Sequence, residues 1–366
     1  MAISEAGPTD MKCNAIGDDV NLTITSKADA GGKPAEAALD IAKQCQTWLR
    51  EGWTIGLATV ADTWGSSPVP IGGQMVIADG ANFQGSVSGG CVENEVIVAA
   101  TEIIETGTPR LLEFGITNET AWQAGLPCGG RIMVFVERLT PDDDLAFIDE
   151  VITAREGRRP IVALRQLDTG QRDLFKPGDN APAEVKERLA SGHSGLAQVD
   201  GRKVFLQAVV PRARIIVIGG THTAQALASM APLVDLDVVI VDPREAYAAL
   251  PRFRDRNVIV AWPQDAIPEL GLDEYSAVVT LSHVEHIDDE ALKLAVKSDC
   301  RYIGALGSTR NHVRRRQRLA AAGLASEEID RVHSPVGLDI GARTPEEIAL
   351  SILAEIVLTY RGPRRK

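Results

Sequence analysis

The sequence predicts an α/β protein in two parts: a mixed α/β unit followed by a doubly wound parallel-sheet unit. Beyond Pro211, short apolar runs alternate with helical segments over brief connections, the pattern of a parallel sheet with helices on both faces. The chain's 366 residues suit about two domains at roughly 100–200 residues each. Hydrophobic residues make up 45% of the chain and charged residues 24%, so cores can form without a disulfide or metal staple.

Residues 1–36 are rich in Gly, Asp, Ser, Thr and Lys without a sustained period and read as a flexible tail. The first unit spans 37–211. Its first helix is AEAALDIAKQCQTWLREGW from Ala35, followed by strands in TIGLATVAD and QMVIA around the loop TWGSSPVPIGG, whose Gly and Pro residues preclude regular structure. ADGANFQG reads as a turn. A helix opens at Ser88 or a nearby glycine and runs to about Glu105, where Gly107 stops it. LLEFG and RIMVFVERL are further strands; DDLAFIDEVITAREG, PIVALRQL, AEVKERLASG and GRKVFLQAVV complete the unit as helix, strand, helix and strand. In the second unit, 212–366, RIIVI opens a strand–glycine turn–helix–strand passage that ends at Asp242. NVIVAW, SAVVTLS and CRYIGALG continue the sheet, and Thr344-Pro345-Glu346-Glu347 starts a last helix as a capping box.

Several function classes are disfavoured at once. A net charge of −12 and only 4% aromatic residues argue against nucleic acid, which needs basic surface and stacking rings. No apolar stretch approaches the roughly 18 residues of a membrane span, and MAISEAGPTDMK lacks the apolar core of a secretory signal. The five cysteines (Cys13, Cys45, Cys91, Cys128, Cys300) are odd in number and form no CxxC pair, so neither a disulfide framework nor a zinc ribbon is indicated. The expectation is a cytoplasmic, reduced protein.

Two glycine–cysteine loops are the most informative residues: Ser88-Gly89-Gly90-Cys91-Val92-Glu93 and Pro127-Cys128-Gly129-Gly130, with the glycine-rich Gly65-Ser66-Ser67-Pro68 nearby in sequence. Cys91 is expected in the first turn of a helix, where free amides lower a thiol pKa, and bare glycine backbone lets amides converge on an anion. Such a thiolate suits a soft metal, a sulfur-transfer step or a phosphorylated ligand. Buried small residues in tight turns remain the alternative.

The second unit carries Gly219-Gly220-Thr221-His222-Thr223-Ala224, a dinucleotide-type turn in which Thr221 replaces the middle glycine and crowds a close-approaching phosphate. Asp242 ends the next strand, where an acid often holds a ribose hydroxyl. No pair of groups suited to position and deprotonate a hydride-transfer substrate stands out. His283 and His286, with Asp288 and Asp289 behind them, have spacing open to a metal; Gly307-Ser308-Thr309-Arg310-Asn311-His312 is open to an anion. The Arg314–Arg318 run is either a solvated face or a docking surface, and Asp339 is open to either reading.

Taken together, TVADTWGSSPVPIGGQMVI, GSVSGGCVENEV and PCGGRIMVFVE resemble the N-terminal half of the XdhC/CoxI family. VVIVDPRE, VVTLSHVEHIDDEAL, RYIGALGSTRNHVRRRQRL and SPVGLDIGARTPEEIALSILAEI are similar to its Rossmann-like C-terminal domain. The resemblance covers about residues 37–362. It implies an accessory factor that binds the molybdenum cofactor (molybdopterin), supports its sulfuration and delivers it to a molybdenum hydroxylase of the xanthine dehydrogenase or carbon monoxide dehydrogenase type, with a cysteine desulfurase as sulfur donor. The SGGC and PCGG thiols, Cys91 and Cys128, are then the candidates for cofactor or metal contact, together with Ser88, Gly89, Gly90, Glu93, Gly129 and Gly130. In the second half the candidates are Gly219, Gly220, His222, Asp242, Arg244, His283, Arg310 and His312. Many members carry Gly-x-Gly-His where this chain has Gly219-Gly220-Thr221-His222, so the histidine keeps its register and the second glycine does not. A cofactor-binding chaperone is favoured over a catalyst. The rivals left open are an NAD(P)-dependent oxidoreductase using Gly219 and Asp242, and a scaffold docking through Arg314–Arg318. The client and a homodimeric state are also left open.

Overall fold

Helix α1, Ile41–Arg50, is capped by Asp40, whose side chain accepts from the Lys43 amide, and it buries Ala42, Cys45 and Leu49 along one stripe. In this computed structural model the described residues are 40–65, 67–78, 82–115, 130–248, 253 and 256–361. The predicted tail and the Pro127-Cys128-Gly129 stretch lie outside them. Strands β1 (Ile55–Trp64), β2 (Gln74–Ile77) and β3 (Phe83–Gly85), helix α2 (Glu93–Thr106), and strands β4 (Arg110–Phe114) and β5 (Arg131–Leu139) follow. The strands form an antiparallel sheet in the order β3-β2-β1-β5-β4. Helix α2 closes one face by burying Val96, Ala100 and Ile103 and stops at Gly107, which is left-handed.

Helix α3, Pro141–Glu156, has Thr140 as its N-cap, proline in its first turn and three aspartates against the positive end of its dipole. It leads to β6 (Ile161–Gln166), β7 (Arg172–Phe175), α4 (Ala183–Ser191), β8 (Gly195–Val199) and β9 (Arg202–Val209). These strands make a second antiparallel sheet, β7-β6-β9-β8. The two sheets share one core around α1 and α3, in which Ile55, Leu57 and Leu139 meet Ile148, Ile161 and Val209. The buried Glu137 carboxylate joins them, with Arg165 and Arg172 each at 3.1 Å. Both residues of the Arg165–Glu137 pair are desolvated, so removing one alone would strand a buried charge.

The third sheet is wholly parallel. Strands β10 (Arg214–Ile218), β11 (Asp237–Val241), β12 (Asn257–Ile259), β13 (Ser276–Thr280), β14 (Tyr302–Ala305) and β15 (Val332–His333) lie in the order β12-β11-β10-β13-β14-β15. All five residues of β10 and of β13 are buried, as strands covered on both faces require. Helices α5 (His222–Met230) and α10 (Pro345–Arg361) cover one face. Helices α6 (Pro263–Leu270), α7 (Glu285–Ala295) and α8 (Thr309–Ala321), with the short α9 (Ser326–Ile329), cover the other. The order reverses between β10 and β13, so the ligand crevice of such a sheet lies outside their carboxyl ends. The predicted capping box at α10 is present: Glu347 accepts from the amides of Arg343 and Thr344, and Thr344 accepts from the Glu347 amide.

Four strands depart from the sequence expectation. The stretch read as a turn contains β3, and β7, β8 and β15 were not anticipated. The start of α2 is also corrected, from Ser88–Gly90 to Glu93.

Candidate functional site

The loop from Ser86 to Val92 joins β3 to α2 and pairs with no strand. Left-handed backbone at Gly89 (φ 80°) and Gly90 (φ 112°) turns it back on itself, where a Cβ would be strained. Its amides point inward, and the anion they converge on belongs to the chain itself. Glu93 Oε1 accepts from the amides of Val87 (3.2 Å), Ser88 (2.9 Å) and Gly89 (3.1 Å) and from the Ser86 hydroxyl (2.6 Å). Glu93 Oε2 accepts from the amides of Gly90 (2.9 Å) and Val92 (3.2 Å) and from the Ser88 hydroxyl (2.5 Å). The Ser88 oxygen accepts in turn from the amides of Cys91 (2.9 Å) and Val92 (3.0 Å). Burial pushes the Glu93 carboxyl up, but the Ser86 and Ser88 hydroxyls and the amides outweigh it and bring its pKa to about 2.

Cys91 therefore sits two residues ahead of α2 and not in its first turn, because the amides that would open the helix earlier are held by Ser88 and Glu93. Its side chain is half-buried beside the cluster containing Val60, Val92 and Val96. Cys45 and Cys300 are buried, and burial pushes their thiols up to about 12 and about 11. Among the described cysteines, Cys91 is the one that reaches the surface. The neighbouring glycine-rich loop approaches Gly89: a Cβ there would lie 3.2 Å from Pro68 Cγ. Cys128 and Gly129 fall outside the described residues, and Gly130 is half-buried immediately before β5. Ser86 was missed by the sequence reading, although its spacing of two from Ser88 was visible.

The second set of candidates gathers at the carboxyl ends of the parallel strands. Gly219 and Gly220 follow β10, and their glycines serve the chain's own packing. A Cβ on Gly219 would lie 2.5 Å from Ser282 Cα, and one on Gly220 2.3 Å from the Tyr247 carbonyl oxygen. Thr221, at the position expected to crowd a phosphate, is the N-cap of α5 and accepts from the Ala224 amide at 3.4 Å. His222 is exposed in the first turn. Asp242 accepts from the Gly220 amide at 2.8 Å, from the Arg244 amide at 2.9 Å and from the Arg244 guanidinium at 2.9 and 2.7 Å. Burial raises its pKa, but these bonds win and hold it below the usual carboxylate range. The guanidinium also lies over the Tyr247 ring, 3.8 Å from its centroid. The carboxylate that a ribose hydroxyl would meet is thus already engaged on both oxygens, which weakens the nicotinamide reading.

His283, exposed after β13, has left-handed backbone at φ 61°, a strained conformation of the kind that concentrates at functional positions. Asp288 is turned inward to the Ser282 amide (3.2 Å) and hydroxyl (2.6 Å), and burial pushes its carboxyl up. Asp289 binds Arg318, and the His286 ring lies 5.7 Å from that of Trp262. The HxxH spacing therefore does not assemble a metal site: among the described residues no group of three or more His, Cys, Asp or Glu could hold an ion.

Arg310 is exposed and His312 half-buried in the first turn of α8. Burial, then Arg315 and Arg316, push the His312 imidazole below its ordinary value. The basic run that follows is partly paired within the chain, and Arg314 is exposed. Arg315 is buried and donates to the Leu306 carbonyl (2.8 Å) and Ser334 (3.3 Å); Arg316 pairs with Asp330 at 2.5 Å, and Arg318 with Asp289 and Glu285. A separate cleft of about 400 Å³, lined by Glu137, Arg138, Asp144 and Arg172 among others, contains none of the predicted residues. Among the described residues no helix is long and apolar enough to cross a membrane.

Residues 215–356 match the XdhC Rossmann domain, and residues 48–115 match the XdhC and CoxI family. A probable xanthine dehydrogenase subunit from Bacillus subtilis is 27% identical over 314 residues, 83% of this chain and 93% of that protein. The molybdenum cofactor insertion chaperone PaoD from Escherichia coli is 29% identical over 309 residues, 84% of each chain. A crystal structure described as a xanthine dehydrogenase from Bacillus halodurans superposes with a TM-score of 0.71 at 24% identity, covering 90% of this chain and 97% of that one; that likeness is one of fold. Two motif-bearing segments in the family's order, over a sheet of the expected topology, place this chain in the XdhC and CoxI family.

Proposed function

We propose that this protein is a maturation factor that binds the molybdenum cofactor and inserts it into a molybdenum hydroxylase. The observation that carries the reading is Cys91, the surface-reaching thiol among the described cysteines, set in the glycine loop of the N-terminal unit. The similarity to PaoD, a molybdenum cofactor insertion chaperone, supports it. A thiolate is a soft donor suited to a dithiolene-bound molybdenum centre, and the donor set at Cys91 fits that end of the cofactor. The amides of the same loop do not fit its anionic end, because Glu93 already occupies them.

In this reading Cys91, with Cys128, holds the metal end and shelters it from water. The exposed Arg310 and His222, with His312 and His283, offer donors to the anionic end. The cofactor itself supplies the redox chemistry, and only once it sits in the client enzyme. Sulfuration by a cysteine desulfurase, a hydroxylase of the xanthine dehydrogenase or carbon monoxide dehydrogenase type as client, a cytoplasmic setting and a division into units at about residue 211 belong to the same proposal.

The test is anaerobic purification from a cofactor-producing host, with molybdenum and oxidised-pterin content measured for wild type and Cys91→Ala. Near-stoichiometric pterin in wild type, lost in the variant, is expected. No pterin in either protein, even after incubation with free cofactor, would overturn the reading.

A further inference from the structure

We infer that Glu93 is a positioning residue: its carboxylate locks the Ser86–Val92 loop from within and thereby fixes where the Cys91 thiol stands, without itself contacting the cofactor. The inference rests on the proposal that Cys91 is the cofactor thiol.

Five backbone amides and two hydroxyls lie within 3.2 Å of the Glu93 carboxylate. A carboxylate has about four lone-pair sites, so no acceptor capacity remains for a ligand. The residue is well placed to act as an anchor. It opens α2, whose 14 residues are held to the sheet by Val96, Ala100 and Ile103. The loop ahead of it has no ladder to hold it, and its two left-handed glycines confer freedom as well as shape. The order of dependence runs in one direction. Glu93 orients the Ser88 hydroxyl, and that oxygen holds the amides of Cys91 and Val92. Without the carboxylate, the Cys91 backbone loses its fixed point at second hand. A set of converging amides is otherwise an anion receptor; filled by the chain's own anion, it becomes a clasp, and the anionic part of a cofactor must be met elsewhere.

The experiment compares full-length wild type, Glu93→Gln, Glu93→Ala and Cys91→Ala. It reads hydrogen exchange of the amides of residues 87–92, site-resolved alkylation of Cys91 and pterin content after anaerobic purification. Charge-assisted bonds are among the stronger ones in proteins. Loss of the carboxylate should therefore speed exchange of the loop amides on the order of 100-fold, with Cys91 alkylation roughly tenfold faster and pterin retention roughly tenfold lower. Added acetate should restore all three in Glu93→Ala by refilling the cradle, a rescue that general structural damage would not show. Unchanged loop exchange in both Glu93 variants overturns the inference, as does a loosened loop with unaltered Cys91 alkylation, or a Glu93→Ala protein that acetate does not restore. The two proposals fail separately: pterin retained by Cys91→Ala sinks the thiol assignment, whereas the exchange and alkylation measurements judge Glu93 whatever the pterin does.

Discussion

Among the described residues two glycine-paired turns lie ahead of helices, Ser88–Val92 and Gly219–Thr221, and in sequence they look like the same device. In both, the anion nearest the turn's amides is a carboxylate of the chain: Glu93 in the first, Asp242 in the second. The glycines nevertheless serve opposite needs. At Gly90 a Cβ would meet nothing within 4 Å, so the residue is required by its backbone angle alone. At Gly219 and Gly220 a Cβ would strike the backbone of the loops that follow β13 and β11. A paired glycine therefore reports either an unusual angle or a close approach, and only the surroundings say which.

Substituting the glycines should separate the two cases. Gly219→Ala combines a left-handed angle of 108° with contacts of 2.5 and 2.6 Å to Ser282 Cα and N. Backbone cannot yield as a flexible side chain would, so a loss of about 3 kcal/mol or more is expected in urea unfolding. A loss below about 1 kcal/mol would break the comparison, and a protein that stayed stable while losing a bound nucleotide would revive the nicotinamide reading. Gly90→Ala meets open space and carries only the strain of φ at 112°. Its expected cost is about 1–2 kcal/mol, felt as faster exchange of the amides of residues 87–92, with the parallel sheet unaffected. Equal losses at the two positions would show that the distinction between angle and approach has no energetic meaning here.

The parallel sheet was legible because β10, β11 and β13 are short, nearly continuous apolar runs, buried on both faces, with glycine turns and helices between them. The missed strands are short and partly polar: β15 has two residues and β3 has three. One signal was available and unused. Asp200 and Gly201 join β8 to β9, both left-handed at φ 50° and 78°, as a two-residue hairpin turn demands. The candidate residues from Gly219 to His312 lie beyond the strand ends where the sequence placed them, but their partners did not show. Arg318 meets Asp289, 29 positions away, and Arg315 meets Ser334, 19 positions away, so part of a run that reads as a basic face is taken up in internal bonding. Cys91 was misplaced for a related reason. Helix propensity and capping rules see the glycines and Ser88, while the competitor for their amides is a glutamate two residues beyond the cysteine.

The smallest expected effect, and the sharpest for that loop, concerns pH. Folding lowers the Glu93 carboxyl from an ordinary value of 4.5 to about 2. For a depressed carboxyl the sign is fixed: the folded loop binds its proton less readily than the unfolded chain, so the contribution is fully present above pH ~4.5 and lost as pH falls through about 2. Between these values the loop should stay clasped while ordinary surface carboxylates pass from ionised to protonated. Protection of the amides of residues 87–92, corrected for intrinsic exchange, should therefore persist at pH 3 to 4 in wild type, a window set by the shift itself. Glu93→Gln has no such titration, and its loop protection should be low and flat across that range. The Gly220 amide offers the internal control, since Asp242 is held below the carboxylate range by a guanidinium as well as by amides. If wild-type loop protection instead fell near pH 4.5, Glu93 would titrate as an ordinary carboxylate, and the hydrogen bonds of the loop would not lower its pKa in solution.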